Sequence, residues 1–275
     1  MTAKPPPAPQ SPLALRTGPG ALRAAVEGEG SQRRRWFRDL LPHRTDAEEL
    51  LDLPDHDPAE LAANLDDIRT VNRLAGGSAV ILKHLPALIA DLPHEQPVHI
   101  LDLATGSGDI PRQLAAWAAR CGRSVSLTLT DLSPQILDLA RRTLADEPGA
   151  TFAVCDARDA PFPDRAFDVV LCSLSLHHFA PDDAVRVLRE MDRLSRAGFI
   201  LNDIRRCVTG YVAAWIASRM ATRNRLTRHD MPLSVRRAYT PSELRALLRE
   251  AGIEHAAVTT HPLFRMAAVQ RKPGD

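Results

Sequence analysis

Residues 98–113, VHILDLATGSGDIPRQ, constrain the fold of this chain more than any other stretch. Val98, Ile100, Leu101 and Leu103 make a short apolar run, as a strand buried on both faces requires. Asp102 interrupts it. A carboxylate inside a buried strand is costly unless hydrogen-bonded or paired, so Asp102 belongs near the strand's carboxyl end. Ala104, Gly106 and Gly108 then let the backbone turn tightly and allow a ligand to approach it closely.

The rest of the sequence extends that unit. Strand and helix signals alternate after residue 98, which predicts a mainly parallel sheet with crossover helices. Strands are expected near 98–103, 125–130, 151–155, 167–173 and 198–203, with helices near 109–120, 133–145 and 181–196. Ser133 with Pro134, and Thr240 with Pro241, read as an N-cap followed by a first-turn proline, and Gly252 as a helix stop. Strands near 253–260 and 264–270 are close enough to pair as a hairpin. The expected fold is α/β, a doubly wound, mainly parallel seven-stranded sheet with N-terminal helices and a helical lid insertion.

Three segments flank or interrupt this core of residues 96–275. Residues 1–32 carry PPPAP, GPG and GEG without periodicity, which predicts a disordered tail. Residues 33–95 open with Arg33, Arg34, Arg35, Trp36 and Phe37, read as a solvated helix start beside two core aromatics. The pattern turns helical from Thr45 through Leu50 and Leu51. Asp57 and Pro58 begin a helix carrying Leu61, Leu65, Ile68 and Val71, which Gly76 and Gly77 stop. A further helix over 78–92 contains Pro86, which should kink or split it. The insertion, residues 205–239, is too long for a default loop, sets an apolar stretch among arginines, and reads as a lid.

Composition narrows the classes. Lys plus Arg number 35 against 34 Asp plus Glu, a net charge of +1 that gives no overall steering towards nucleic acid or membrane. Cys121, Cys155, Cys172 and Cys207 form no CxxC pair or zinc-type cluster, so reduced thiols and no metal site are expected. No segment has the roughly 18 apolar residues that span a bilayer, and no secretory signal is evident. A cytoplasmic location follows as the expectation.

Three acids fall at successive strand ends: Asp102, Asp131 in SLTLTD and Asp156 in TFAVCD. Their spacing matches βα units, so they should converge at the carboxyl edge of the sheet, where doubly wound folds bind ligands. Asp131 could accept both hydroxyls of a ribose and Asp156 an adenine amino group. A dinucleotide is disfavoured. Pro111 stands where the third glycine of G-x-G-x-x-G should be, and Asp109 sets a negative charge at the helix start that a pyrophosphate would need.

The runs LDLATGSGDIP, LTDLSPQIL and CDARDAPFPDRAFDVVLCSLSLHHF resemble motifs of class I S-adenosylmethionine-dependent methyltransferases. Ala104 and the Gly108-Asp109 pair are similar to the ubiquinone/menaquinone-biosynthesis subgroup. The resemblance covers residues 78–204 well and 240–270 by topology. It implies S-adenosylmethionine as cofactor, with Asp102, Ala104, Gly106 and Gly108 around its methionine part. Asp131 would hold the ribose, Asp156 and Ala157 would meet the adenine, Ser173 would face the sulfonium, and Leu132 would also contact the cofactor. Ala104 departs from the family's commoner D-x-G-x-G-x-G.

Methyl transfer from a sulfonium has an activated leaving group, so alignment is the enzyme's main task; it contributes about 7–11 kcal/mol in well-oriented systems. A base matters when the acceptor is a hydroxyl or a ring carbon. The candidates are His178 and His229, ahead of His177, with Tyr239 as a lesser hydrogen-bond donor. The expected partner is a small-molecule acceptor, a phenolic, quinol or polyketide-like hydroxyl or ring carbon. The alternatives are an RNA or other nucleic-acid methyltransferase using the arginines of 205–239, disfavoured by the SLSL strand end; a weak peripheral contact of the insertion with a membrane; and a non-catalytic cofactor-binding protein.

Overall fold

Alternate side chains of the central strands enter two different hydrophobic cores. Leu101 and Leu103 of β1 (Val98–Leu103), Val170 and Cys172 of β4 (Phe167–Ser173), and Phe199 and Leu201 of β5 (Ser195–Ile204) pack on one face. Val98 and Ile100, Val169 and Leu171, and Ile200 pack on the other. A sheet buried on both faces follows, with helices on each side.

The computed structural model describes residues 41, 43–53, 56–74 and 76–273, which from His43 onward belong to one compact unit. The expected tail at 1–32 and the run Arg33 to Phe37 lie outside the described residues. The sheet has seven strands in the order β3-β2-β1-β4-β5-β7-β6, with β2 at Val125–Asp131, β3 at Ala150–Val154, β6 at Ala257–His261 and β7 at Arg265–Arg271. β1 pairs in parallel with β2 and β4, and β7 runs antiparallel to both β5 and β6. The strand order reverses between β1 and β4, so the crevice for a ligand lies at their carboxyl ends.

Among the described residues the helices are α1 (Pro58–Leu74), α2 (Gly77–Leu88), α3 (Asp109–Arg120), α4 (Pro134–Thr143), α5 (Pro181–Leu194), α6 (Val208–Met220), α7 (Arg225–Arg237) and α8 (Pro241–Glu250). Ile81, Leu85 and Leu88 of α2 join Ile110 and Leu114 of α3 under one face of the sheet. Asp57 Oδ1 accepts from the N–H groups of Ala59 and Glu60, so Pro58 starts α1 as its sequence implies. Thr240 and Glu243 form a reciprocal capping box that starts α8.

Two local expectations are corrected. Pro86 neither splits nor interrupts α2; it sits in the last turn, two residues before the end at Leu88. The stretch after Thr45 is an extended strap with one 3₁₀ turn, Leu50–Asp52, instead of a helix. The backbone N–H groups of Leu50 and Leu51 donate to the two carboxylate oxygens of Asp230 in α7, at 2.8 and 2.9 Å. That capture fixes the strap against the insertion. The insertion is in turn tied to α1 through buried Asn64, whose Nδ2 donates to Thr227 Oγ1, and through Thr227, which donates to Asp67.

Candidate active site

The carboxyl ends of β1, β2 and β4 open onto a cleft of about 1140 Å³, roofed by the strap, α1 and the insertion. Asp102 is buried at its floor. Thr105 Oγ1 donates to Asp102 Oδ2 at 2.6 Å, while Oδ1 is buried with no hydrogen-bond partner among the described residues. Burial pushes the Asp102 carboxyl up to about 7, and the neighbouring charges of Asp109 and Asp131 add to that rise.

The turn after β1 is left-handed at three alternate residues, Ala104 (φ 52°), Gly106 (φ 58°) and Gly108 (φ 72°). An alanine there stores roughly 1–2 kcal/mol of strain. A Cβ on Gly106 would meet open space, whereas one on Gly108 would sit 2.6 Å from Leu144 Cδ1. Gly106 therefore leaves room in the cleft. Gly108, expected at the cofactor, is not among the cleft-lining residues; it lets α3 pack against the end of α4.

Asp131 closes the turn from the side. Its Oδ2 accepts from Gly106 N at 3.1 Å and its Oδ1 from Ser133 N at 3.0 Å. Burial raises its pKa, and those two backbone donors counteract the rise. Leu132 follows as a 63 % exposed apolar side chain on the cleft wall. Ala157 also lines the cleft, as does Ser173, whose Oγ is buried without a partner among the described residues.

Asp156 lies in the cleft but differs from expectation. Arg158 grips it through its own N–H, Nε and Nη2, and also reaches Asp183 at 2.8 Å. The hydrogen-bonded Arg158 holds the Asp156 carboxyl below its usual range. The free acceptor pictured for an adenine amino group is thus already committed to a guanidinium.

The candidate bases separate. His178 lines the cleft; its Nδ1 lies 2.7 Å from Asp52 Oδ1 and its Nε2 3.9 Å from Glu49 Oε2. Burial would lower its pKa, but the Glu49 charge and the Asp52 hydrogen bond outweigh this and push it up to about 9. At neutral pH it is a hydrogen-bond donor and not a free base. His177 is buried beside it, with Nδ1 2.8 Å from Asp203 Oδ1. His229 does not reach the cleft: its side chain is 48 % exposed on α7 and bonds Asp230 Oδ1. Successive helical residues point about 100° apart, so Asp230 turns inward and His229 outward. Tyr239 is also removed, since its hydroxyl is buried and donates to Phe179 O at 2.7 Å.

Sequence reasoning misses Glu49, Asp52 and Arg265. The two acids sit in the strap, whose pattern reads as helical. Arg265, first residue of β7, lines the cleft while 2 % exposed; Nη2 reaches Asn72 Oδ1 at 3.3 Å, and Nε and Nη1 have no partner among the described residues. Burial lowers its pKa, partly offset by Asp203 and Asp109. An arginine among apolar strand residues is the available signal.

A family model described as a methyltransferase domain matches residues 100–198. The ubiquinone/menaquinone biosynthesis C-methyltransferase UbiE of Rickettsia bellii is 30 % identical over 171 residues, covering 57 % of this chain and 68 % of that protein. This chain belongs to the class I S-adenosylmethionine-dependent methyltransferases. The UbiE of Chromobacterium violaceum is 34 % identical over 127 residues, 46 % of this chain, and the match spans only about half of that relative, 49 %. In fold, the methyltransferase resembles human N-acetylserotonin methyltransferase solved in complex with S-adenosylmethionine, with a TM-score of 0.58, 15 % identity and coverage of 80 % of this chain and 57 % of the other.

The cleft residues fit that family's cofactor. An α-amino acid is a zwitterion, and Asp102 Oδ1 and Arg265 Nε and Nη1 are opposite charges with unpartnered atoms in one cleft. Buried polar atoms left without partners cost about 1–3 kcal/mol each, which a bound zwitterion would relieve.

Proposed function

We propose that this methyltransferase transfers the methyl group of S-adenosylmethionine to a small-molecule acceptor, a phenolic, quinol or polyketide-like hydroxyl or ring carbon. The observation that carries the reading is the pair of buried, unpartnered charges, Asp102 and Arg265, in a cleft whose other wall carries Asp131 over Gly106. Asp102 takes the ammonium and Arg265 the carboxylate of the methionine arm. Asp131 takes the ribose, with Leu132 and Ala157 against the adenine. When bound, the cofactor supplies an electrophilic methyl group. The chain's part is to orient the acceptor and exclude water. The apolar roof, with Ile68, Val71, Ala213, Ala217, Met231 and Val235, suits a hydrophobic ring, and Glu49, His177 and His178 offer polar atoms to its oxygen.

The nucleic-acid reading loses support because the arginines of 205–239 are partly spent within the fold. Arg206 and Arg237 are buried, Arg225 bonds Glu60, and Arg219 lies over the Trp215 ring at 5.1 Å. One observation favours a weak surface contact: α6 turns Gly210, Ala213 and Ala217 to the cleft while Val212, Trp215, Ile216 and Met220 are exposed. No helix among the described residues is long and apolar enough to cross a membrane.

The test is calorimetric titration with S-adenosylhomocysteine, followed by a methylation assay across phenols, quinols and β-ketoacyl thioesters. We expect one-to-one binding and methylation of one acceptor class. Absence of binding removes the proposal, and transfer to RNA alone replaces it with the alternative. Co-sedimentation with anionic vesicles at two salt concentrations tests the surface contact.

A further inference from the structure

Two histidines and one glutamate meet at the acceptor end of the cleft in an arrangement that hydrogen bonding alone leaves incomplete. Each imidazole is fixed through Nδ1 by its own carboxylate, His177 by Asp203 at 2.8 Å and His178 by Asp52 at 2.7 Å. Both Nε2 atoms thereby turn to Glu49, each 3.9 Å from one of its oxygens. The rings lie 4.4 Å apart between centroids. Glu49 Oε2 accepts from Ser234 Oγ at 2.9 Å, but Oε1 is buried without a hydrogen-bond partner among the described residues. A histidine whose Nδ1 is held by a carboxylate and whose Nε2 points at a common centre is the usual orientation of a metal-bound imidazole.

We propose that Glu49, His177 and His178 form a binding site for a divalent first-row transition ion such as Zn²⁺, Co²⁺ or Mn²⁺. One ligand atom from each residue lies within 4.8 Å of the others. Bond lengths of about 2.0–2.2 Å place ligand atoms about 3.0–3.5 Å apart, so these atoms must close by up to roughly 1.5 Å, through small rotations of Glu49 and the two imidazoles. Charge also matches. Glu49, Asp52 and Asp203 bring three negative charges to the cluster against the positive charges of Arg237 and His178, and an ion bound at His178 Nε2 takes the place of its proton. Arg237 Nε lies 3.8 Å from Glu49 Oε1, but its other nitrogens are engaged by Asp52 and by the carbonyl of His178. Two imidazoles and a carboxylate leave coordination positions free, and all three residues line the cleft, so those positions face the acceptor. The ion's role towards an acceptor oxygen rests on the methyltransferase reading of the cleft; its binding does not. The ligands come from residues 49, 177 and 178, which is why no metal-type spacing stands out along the chain.

The experiment uses the full chain, stripped with chelator and without methyl donor, titrated with Co²⁺ and followed by visible d–d absorption, with Zn²⁺ as competitor. One equivalent should bind with a Kd of order 1 µM or tighter. Glu49→Gln should weaken binding at least about 100-fold and Asp52→Asn, which loosens the orientation of His178 and the hold on Arg237 without removing a ligand, about 10–100-fold. S-adenosylhomocysteine affinity, measured on the same samples, should stay within about 3-fold and reports that the cofactor end is folded. No stoichiometric Co²⁺ or Zn²⁺ binding by the wild type overturns the site, as does unchanged metal affinity in folded Glu49→Gln. Loss of S-adenosylhomocysteine binding by the wild type would instead reject the cofactor reading and leave the metal result standing.

Discussion

Thr105 Oγ1 lies 2.6 Å from Asp102 Oδ2 and is the carboxylate's one side-chain partner among the described residues. That single bond does not offset burial, and the carboxyl is pushed up to about 7 from 3.8. An acid raised in this way costs folding stability; the cost grows above pH 3.8, is complete above about 7, and is relieved as pH falls. Its ceiling is roughly 4 kcal/mol. Thermal melts from pH 4 to 8 should show Asp102→Asn flattening this slope and gaining stability at pH 8. In the wild type, affinity for S-adenosylhomocysteine should rise as pH increases through about 7, where the carboxylate ionises. An equal slope in Asp102→Asn would reject the assignment.

Arg265 offers two unpartnered nitrogens to the cleft. Arg265→Gln is expected to weaken S-adenosylhomocysteine by about 30–100-fold, or roughly 2–3 kcal/mol. Methylthioadenosine has no amino-acid arm, and its affinity should change little. Calorimetry with both ligands separates the roles, because equal losses would make Arg265 merely structural.

The two glycines of the turn should fail differently. Gly108→Ala drives a Cβ to 2.6 Å from Leu144 Cδ1 at φ 72° and should cost about 1–3 kcal/mol of stability in chemical denaturation. Gly106→Ala meets nothing within 4 Å among the described residues, so its folding cost should stay near the roughly 1 kcal/mol of left-handed strain. Its methyl group enters the cleft, and cofactor affinity should fall about tenfold or more, near 1.4 kcal/mol.

His229 and Asp230 are neighbours with opposite expected phenotypes. His229→Ala should leave turnover within about twofold and stability within about 0.5 kcal/mol, as for an ordinary surface change. Asp230→Ala strands the N–H groups of Leu50 and Leu51 and should cost about 2–4 kcal/mol. Limited proteolysis should then cut first in the strap. Protection of the strap in that variant would contradict the tether.

What is legible in the sequence is what depends on neighbours in sequence. The β1 run, its glycine turn and the acids closing β1 and β2 are local patterns, and the alternation of strand and helix signals gives the mainly parallel doubly wound class. The strap reads as helical because nothing nearby shows that Asp230, far along the chain, captures the N–H groups that a helix would use internally. His229 stands out because an adjacent acid resembles a catalytic partner, and the two do bond, but helix rotation leaves the imidazole on the outer side of α7, away from the cleft. Arg265 and Glu49 depend on burial, and burial is a property of the finished fold.

The tether between strap and insertion also sets an order of events during synthesis. Glu49 and its partner Ser234 are separated by 185 residues, which a ribosome adding about 5–20 residues per second covers in roughly 10–40 s. Through that interval the strap has no α7 to bind, while β1 to β4 and their helices are already available to pair. A nascent chain halted before α7 would carry the cofactor-facing turn and the acceptor-end histidines, but lack the helix that holds Glu49 and its strap over them. The earliest described residues to leave the ribosome are thus among the last to reach their native partners.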